Sequence, residues 1–229
     1  SQSHYVTVWL DKRAKLTPRD IALIDYSTQS EITFAEWNNR VNRTANFLKS
    51  LGVNKGDRVA VYASNRAEYL DLFWAAPKLG AMLQNLNWRL TVYELKGIIE
   101  SGAPTVFIYS EDWREQLEEL KPSFTTVKHI VAMTHPGPGE LDFAQRDSFS
   151  ADLPDAPELS LDDPWGIYYT GGTTGLPKGA VLTHGNVTWN SVNTITSWGL
   201  HGQHKAALQL PFFHIGGPNI FMAPLVHAG

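Results

Sequence analysis

The 229-residue chain is 43% hydrophobic and 18% charged, carries a formal net charge of -4 at pH 7, and contains no cysteine. This inventory excludes disulfides, thiolate metal sites and a cysteine nucleophile, and the acidic balance gives no whole-chain attraction to nucleic acid or anionic membranes. Residues 1–15 lack the apolar core of a signal peptide, and no apolar run approaches the ~20 residues of a transmembrane segment, which predicts a cytoplasmic protein.

Amphipathic helices and short apolar strands alternate along the first part of the chain. Capping boxes, in which two side chains satisfy free N–H groups of the first turn, predict where helices begin. Three pairs have this spacing: Thr33 with Glu36, Asn65 with Glu68, and Thr91 with Glu94. The predicted elements are a helix over 33–51, a strand over 59–63, a helix from 65 to about 80, an apolar strand over 81–86, a helix from 91, a strand over 105–109, a helix over 111–120 and a strand over 127–133.

This alternation favours an α/β fold in which a parallel sheet is covered by helices on both faces, because parallel neighbours need a crossover between them. The next stretch is rich in Pro, Gly, Asp and Ser, which is typical of a linker. Beyond it, two strands flank a glycine-rich loop and a helix follows. The predicted division is a first α/β subdomain over residues 1–133, a linker over 134–164, and the start of a second α/β subdomain over 165–229.

The glycine-rich loop combines glycine, threonine and lysine in residues 169–179 (YTGGTTGLPKG). Glycine lets backbone N–H groups approach an anion, threonine hydroxyls donate hydrogen bonds, and lysine supplies a positive charge. The loop is not a Walker A loop, because Lys178 follows proline and precedes a predicted strand instead of a helix. The Rossmann fingerprint fails for the same reason. On the residues alone, a hairpin loop without a ligand remains the alternative to a phosphate-binding loop.

The loop resembles the phosphate-binding signature of the adenylate-forming superfamily, which contains acyl-CoA synthetases, luciferases and the adenylation domains of peptide synthetases. Scaffold stretches at 57–61, 68–70, 78–81 and 87–95 look most like acyl-CoA synthetases. The resemblance implies that the following residues hold the phosphates of ATP: Thr170, Gly171, Gly172, Thr173, Thr174, Gly175 and Lys178. Gly171 departs from the pattern, since many members carry serine there, and one hydroxyl donor is therefore absent.

A second candidate site lies in residues 210–218 (LPFFHIGGP). On the residues alone, an isolated histidine among aromatic side chains is more often structural than a ligand. The segment resembles the next motif of the superfamily, an aromatic loop beside the acyl pocket, which implies that His214 binds substrate. The sequence predicts no metal ligand, because the other histidines lack metal-ligand spacing and the Asp162-Asp163 pair fits a turn. It also predicts no catalytic residue.

The resemblance implies an ATP-dependent acid–thiol ligase. MgATP and a carboxylic acid would form an acyl-adenylate and pyrophosphate, and coenzyme A would then accept the acyl group. The loop would position the phosphates and stabilise the charge that develops on pyrophosphate. A non-catalytic nucleotide-binding module and a scaffold module that binds a protein partner are the alternatives.

The resemblance also implies an incomplete N-terminal domain. The family's adenine-binding segment, its magnesium-binding glutamate, its ribose-binding aspartate and its mobile C-terminal domain would follow Gly229. We therefore expect this chain to be inactive alone, to need the C-terminal portion of the same enzyme, and to expose apolar surface that favours homo-oligomers. Fatty, branched and aryl acids all fit the aromatic loop.

Overall fold

The computed structural model describes residues 8–170 and 175–229, which form strands and helices in alternation. The strands are β1 (Ile21–Asp25), β2 (Ser30–Thr33), β3 (Arg58–Tyr62), β4 (Met82–Asn85), β5 (Val106–Tyr109), β6 (His129–Ala132), β7 (Leu141–Asp142), β8 (Pro164–Thr170) and β9 (Lys178–Thr183). The helices are α1 (Trp9–Leu16), α2 (Phe34–Ser50), α3 (Ala67–Lys78), α4 (Val92–Gly102), α5 (Arg114–Leu120), α6 (His184–Trp198), α7 (Gly217–Ile220) and α8 (Met222–Ala228). Short 3-10 turns cover Glu111–Trp113, Lys121–Ser123 and Phe143–Ser148.

A seven-stranded sheet in the order β7-β6-β5-β3-β4-β8-β9 forms the centre of the structure, and β1 and β2 form a separate hairpin. The strands from β3 to β8 run parallel, whereas the edge strand β9 is antiparallel to β8. The predicted α/β fold is confirmed, with a mixed sheet in place of a wholly parallel one. The loop between β8 and β9 is too short for a crossover, so the chain can only return antiparallel.

Helices cover both faces of the sheet. Alternate residues of β3 point to opposite faces, with Val59 and Val61 in one apolar core and Ala60 and Tyr62 in the other. The first core also contains residues of α1, α2, α3, α6 and α8, and the second contains residues of α4 and α5. In the part of the chain that the structure describes, no helix is both long and apolar enough to cross a membrane.

The predicted helix starts are right for α2 and α4 and wrong for α3. Both boxes form, with the Thr33 and Thr91 hydroxyls each accepting from a backbone N–H at 3.2 Å. Helix α3 instead begins after Arg66, whose position has no side-chain cap, and Glu68 pairs with the Arg66 guanidinium at 3.2 Å. The Asn65 carboxamide bonds a distant segment described below. Most other element ends lie within one or two residues of the predicted ones, but the helix predicted over 111–120 begins as the 3-10 turn Glu111–Trp113 and becomes α5 only at Arg114.

A buried carboxylate joins three elements on the first face. Asp71 of α3 is fully buried and accepts a hydrogen bond from Trp37 Nε1 at 2.9 Å. Its other oxygen lies 2.8 Å from guanidinium nitrogens of both Arg40 and Arg146. The network thereby ties α2, α3 and the 3-10 turn Phe143–Ser148 together.

Residues of the predicted linker lie along α2. The Asn46 carboxamide donates to the carbonyl oxygens of Ser150 and Asp152 at 2.9 and 3.0 Å. Lys49 donates to the Asp155 carbonyl at 2.7 Å. Strand β8, which follows this stretch, pairs with β4 in the same sheet as the preceding strands. The division of the chain into two units stays a prediction.

Candidate functional site

The carboxyl ends of β3, β4 and β8 meet at one edge of the sheet because the three strands are parallel. The chain leaves β3 for α3 on the first face and leaves β4 for α4 on the second face. Neighbouring strands whose helices diverge in this way open a crevice at their carboxyl ends, which is the usual ligand position in open α/β sheets. The glycine-rich loop starts at the same edge, directly after Thr170 of β8.

The neck of the glycine-rich loop brings two predicted phosphate-binding residues together. Thr170 and Lys178 are partners in the β8–β9 register, and both side chains are exposed. Within residues 8–170 and 175–229, no carboxylate forms an ion pair with Lys178. Gly175 has a φ of 101°, which favours glycine. The other predicted phosphate-binding residues, Gly171, Gly172, Thr173 and Thr174, lie outside the described residues.

Close packing fixes the base of this loop. A Cβ at Gly179 would lie 2.8 Å from Ile167 Cγ2 and 3.0 Å from Tyr169 Cε1, so only glycine fits without a shift. Gln84 Nε2 donates to the Tyr169 hydroxyl at 3.1 Å, and burial raises the pKa of Tyr169. A Cβ added at Gly97 of α4 would lie 3.5 Å from Leu176 Cδ2, which places the Leu176 side chain beside this helix. The neck therefore has a defined position relative to β4 and α4.

His214 lies in a tight loop between helix α6 and the short helix α7. Its backbone N–H donates to the Pro211 carbonyl at 3.0 Å, and its carbonyl accepts from the Gly217 N–H at 2.9 Å. The exposed ring accepts the Gly216 N–H at Nδ1, at 3.0 Å. A neutral imidazole with Nδ1 as acceptor carries its proton on Nε2. His214 can therefore offer an N–H donor to a ligand.

Aromatic side chains seat this loop over the crevice. Phe212 packs edge-on against Tyr69 with ring centroids 5.8 Å apart, and Phe213 packs edge-on against Trp88 at 5.5 Å. Trp88, which follows β4, is stacked on Trp113 at 5.2 Å. The structure thus places the His214 loop and the start of the glycine-rich loop at the same edge of the sheet.

Buried polar contacts support the C-terminal side of the His214 loop. The Asn219 carboxamide donates to the Ile215 carbonyl at 3.1 Å and to the Tyr168 hydroxyl at 3.3 Å. Burial raises the pKa of Tyr168 to about 12, so this phenol is neutral at physiological pH. The Tyr69 hydroxyl donates to Asn85 Oδ1 at 2.6 Å beneath the loop. These contacts join α7 to β8 and α3 to β4.

Sequence reasoning missed three residues of this site: Asn65, Tyr69 and Trp88. Asn65 and Trp88 both come just after a predicted strand, and the carboxyl ends of parallel strands are where ligands bind. Their position just after a predicted strand was the signal that could have identified Asn65 and Trp88 as site residues. Tyr69 could not be recognised, since a tyrosine in a helix gives no sign of the loop that it contacts 143 positions along the chain.

A cavity of about 660 Å³ lies apart from the predicted site residues, between β1, the start of α3, residues 202–209 and α8. Asn65 and Phe212 belong to its wall, so this cavity and the His214 loop share a boundary. Arg13 lines it as well, with its guanidinium 4.4 Å from the Phe34 ring centroid and bonded to the Gly202 carbonyl at 2.6 Å. No residue from Thr170 to Lys178 that the structure describes lines the cavity.

The histidine His184 is fully buried against the Trp165 ring, with centroids 5.0 Å apart. Neither ring nitrogen has a hydrogen-bond partner. Burial lowers the pKa of His184 to about 4, so the ring is neutral near pH 7. Among the described residues, no three or more His, Asp or Glu side chains are grouped so that they could hold a metal ion.

Comparison with known proteins gives a consistent set of relatives. A family model described as AMP-binding enzyme matches residues 10–229. The chain is 35% identical over 221 residues to a feruloyl-CoA synthase of Amycolatopsis sp, covering 96% of the chain and 42% of that relative. It is 35% identical over 213 residues to a long-chain-fatty-acid–CoA ligase of Mycobacterium tuberculosis, covering 90% of the chain and 40% of that relative. The chain spans about four-tenths of the length of these relatives.

Solved structures agree in fold. A putative long-chain-fatty-acid CoA ligase from Rhodopseudomonas palustris matches with a TM-score of 0.89 and 28% identity, covering 98% of the chain and 56% of that structure. The inhibitor-bound N-terminal domain of FACL13 from Mycobacterium tuberculosis matches with a TM-score of 0.85 and 32% identity, covering 99% and 56%. An anthranilate CoA ligase bound to anthranoyl-AMP shares the fold at 23% identity, with a TM-score of 0.90.

Proposed function

The chain belongs to the AMP-binding enzyme family, and on that premise we propose that it forms the phosphate-binding and acid-binding part of an ATP-dependent carboxylate–CoA ligase. A carboxylate oxygen of the acid attacks the α-phosphorus of ATP, and the bond to pyrophosphate breaks. The thiol of coenzyme A then attacks the acyl carbon, AMP leaves, and the thiol proton is released. The activity of the whole protein, its substrates and its cytoplasmic location belong to this proposal.

One observation carries the proposal: the neck of the glycine-rich loop and the His214 loop lie at the same edge of the sheet. Thr170 and Lys178 are exposed at the neck of the first loop, and Lys178 is not neutralised by a carboxylate of the described residues. An unpaired ammonium beside hydroxyl and backbone donors suits the β- and γ-phosphates of ATP. We assign Gly171, Gly172, Thr173, Thr174 and Gly175 to the same task.

Magnesium would shield the phosphate charge. We propose that it arrives bound to the nucleotide, since hard cations of this size commonly bind substrate phosphates together with one or two protein oxygens. The exposed Thr170 hydroxyl is one protein oxygen of the described neck that could join such a set.

The acid would lie at the second loop. His214 Nε2–H can donate to a carboxylate oxygen, while Phe213 and Trp88 supply an apolar wall. Relatives named for ferulate and for long-chain fatty acids fit a site of this kind, which accepts an apolar acid without a charged contact to its tail. We propose bulky aryl or aliphatic carboxylic acids as the substrate class.

The decisive test is ATP–pyrophosphate exchange with a panel of aryl and fatty acids. It should be measured on this chain and on any longer natural polypeptide that contains it. Exchange that depends on one class of acid would support the ligase and identify its substrates. Nucleotide binding without exchange from any acid, in every polypeptide tested, would contradict the ligase and favour a binding module.

Replacing Lys178 should weaken nucleotide binding without unfolding the protein. We expect Lys178→Ala to raise the Kd for ATP about tenfold, because a charge-assisted contact with phosphate is lost at an exposed site. A fluorescent ATP analogue displaced by ATP would report the Kd. Lys15→Ala is the matched control, since it removes the same charge from an exposed position of α1. Equal Kd values for both variants and the wild type would remove Lys178 from the phosphate site.

A further inference from the structure

The Asn65 carboxamide holds the entrance of the His214 loop by two hydrogen bonds. Its Nδ2 donates to the Leu210 carbonyl at 2.9 Å, and its Oδ1 accepts the Phe212 N–H at 2.9 Å. One side chain thereby satisfies a backbone donor and a backbone acceptor two residues apart, as a neighbouring strand would. We infer that Asn65 is a positioning residue that sets the place of His214 relative to the acid.

Only a side chain of this shape can make both bonds from this position. Aspartate keeps an acceptor for the Phe212 N–H and loses the donor to the Leu210 carbonyl. Alanine loses both partners. The requirement for one donor and one acceptor explains why Asn65 does not cap α3, although its spacing to Glu68 predicts that it should.

The turn that carries Asn65 is itself held in place. The Ser64 N–H donates to Ser110 Oγ at 3.1 Å, which joins the end of β3 to the end of β5. On the other side, the Arg66 guanidinium pairs with Glu68 in the first turn of α3. Asn65 therefore extends from a fixed point between a central strand and a buried helix.

His214 lies between two such attachments. Asn65 holds the chain at Leu210 and Phe212, and Asn219 holds it at Ile215 through the bond to the Ile215 carbonyl. The Leu210 side chain is 46% exposed, so its packing contributes little to the position of the entrance. Loss of the Asn65 contacts would leave the Phe212 ring as the main attachment on that side.

This inference rests on the proposed function, because His214 is taken as a ligand for the acid. It predicts a split between the two substrates. A displaced His214 loop should weaken binding of the acid, whereas the ATP phosphates are held by Thr170, Lys178 and the glycine-rich loop. A merely structural residue would affect neither ligand or would affect both through loss of the folded state.

The experiment compares Asn65→Ala, Asn65→Asp and the control Asn46→Ala in this chain. The Asn46 carboxamide also donates to two backbone carbonyls, but these belong to Ser150 and Asp152, in the segment that lies along α2. Amide hydrogen exchange at Phe212 and the ring signals of His214, both by NMR, report the loop. Titrations with ferulate, octanoate and ATP report the ligands, and exchange at Val59 and Val61 reports the folded core.

In Asn65→Ala we expect Phe212 to exchange about tenfold faster, the His214 signals to shift, and the affinity for the acid to fall about tenfold, with ATP affinity within about twofold of wild type. Asn65→Asp should exchange at Phe212 at a rate between those of Asn65→Ala and the wild type, because the acceptor for the Phe212 N–H remains while the second carboxylate oxygen is repelled by the Leu210 carbonyl. Asn46→Ala should leave all these readouts unchanged.

Unchanged Phe212 exchange and unchanged His214 signals in Asn65→Ala would overturn the inference. Changed Phe212 exchange and His214 signals together with unaltered affinity for both acids would also overturn it. Failure of the wild-type chain, and of any longer natural polypeptide that contains it, to bind ATP or either acid would instead refute the proposed function, and the exchange and ring signals would still decide whether Asn65 holds the loop.

Discussion

Asp71→Ala should lower the free energy of unfolding by about 3–5 kcal/mol, the range found when one partner of a buried ion pair is removed. Asp71 is fully buried, and its oxygens are bonded by Trp37, Arg40 and Arg146. Arg146 is itself almost buried, so the substitution leaves a positive charge without its main counter-charge in a poorly hydrated place. Urea denaturation at pH 7 would measure the loss as a shift of the midpoint.

Two further variants make this result specific. Asp71→Asn keeps the volume and an acceptor for Trp37, and should fall between Asp71→Ala and the wild type. Asp155→Ala removes an exposed carboxylate that lies 4.0 Å from Lys49, and should leave the midpoint almost unchanged. A loss below about 1 kcal/mol in Asp71→Ala would show that the cluster contributes no more than a surface ion pair.

Acid should destabilise the protein through His184. Its folded-state pKa of about 4 lies below the ordinary value of 6.5, because burial against Trp165 disfavours the charged ring. Between these values the unfolded state binds a proton that the folded state does not bind, so stability falls as the pH falls. The expected cost is about 2 kcal/mol at pH 5 and about 3 kcal/mol at pH 4.

The charged groups that influence His184 act in opposite directions. Asp163 raises the pKa of His184 and Lys55 lowers it, and the two lie 3.4 Å apart as an ion pair. Burial is the larger cause, so the direction of the pH dependence does not depend on this pair.

Urea midpoints at pH 7 and pH 5 would isolate the effect. His184→Leu removes the titrating group, so the difference in stability between the two pH values should shrink by about 2 kcal/mol. His201→Gln, which changes an exposed histidine, should keep the wild-type difference. If His184→Leu loses as much stability on acidification as the wild type, His184 does not account for the acid sensitivity.

Local patterns were sufficient to predict most of the elements from α2 to α6, whereas α1, the β1–β2 hairpin, β7, α7 and α8 were not predicted. Capping boxes at Thr33 and Thr91 depend on residues three positions apart, so the sequence contains the whole interaction. The α/β class followed from alternating strands and helices. The antiparallel direction of β9 could also have been predicted from the sequence, because the loop before Lys178 is too short for a crossover.

Contacts between distant residues limited the prediction of the site. Asn65 had the spacing of a cap, yet its carboxamide is used by backbone groups about 145 residues later. The cluster around Asp71 combines Arg40 with Arg146, and no local pattern links them. The glycine-rich loop was found because its chemistry is contained in one short stretch. Its central residues, Gly171 to Thr174, stay a prediction.

The order of strands in the sheet has a consequence for synthesis of the chain. Strand β4 pairs with β3 on one side and with β8 on the other, and β8 follows β4 by about 80 residues. Ribosomes add ~5–20 residues per second, so the backbone groups on the β8 side of β4 wait on the order of 10 s for their partner in a nascent chain. An unpaired strand edge is a template for association with other chains. The newly made protein is therefore most exposed to association with other chains before residues 164–170 emerge.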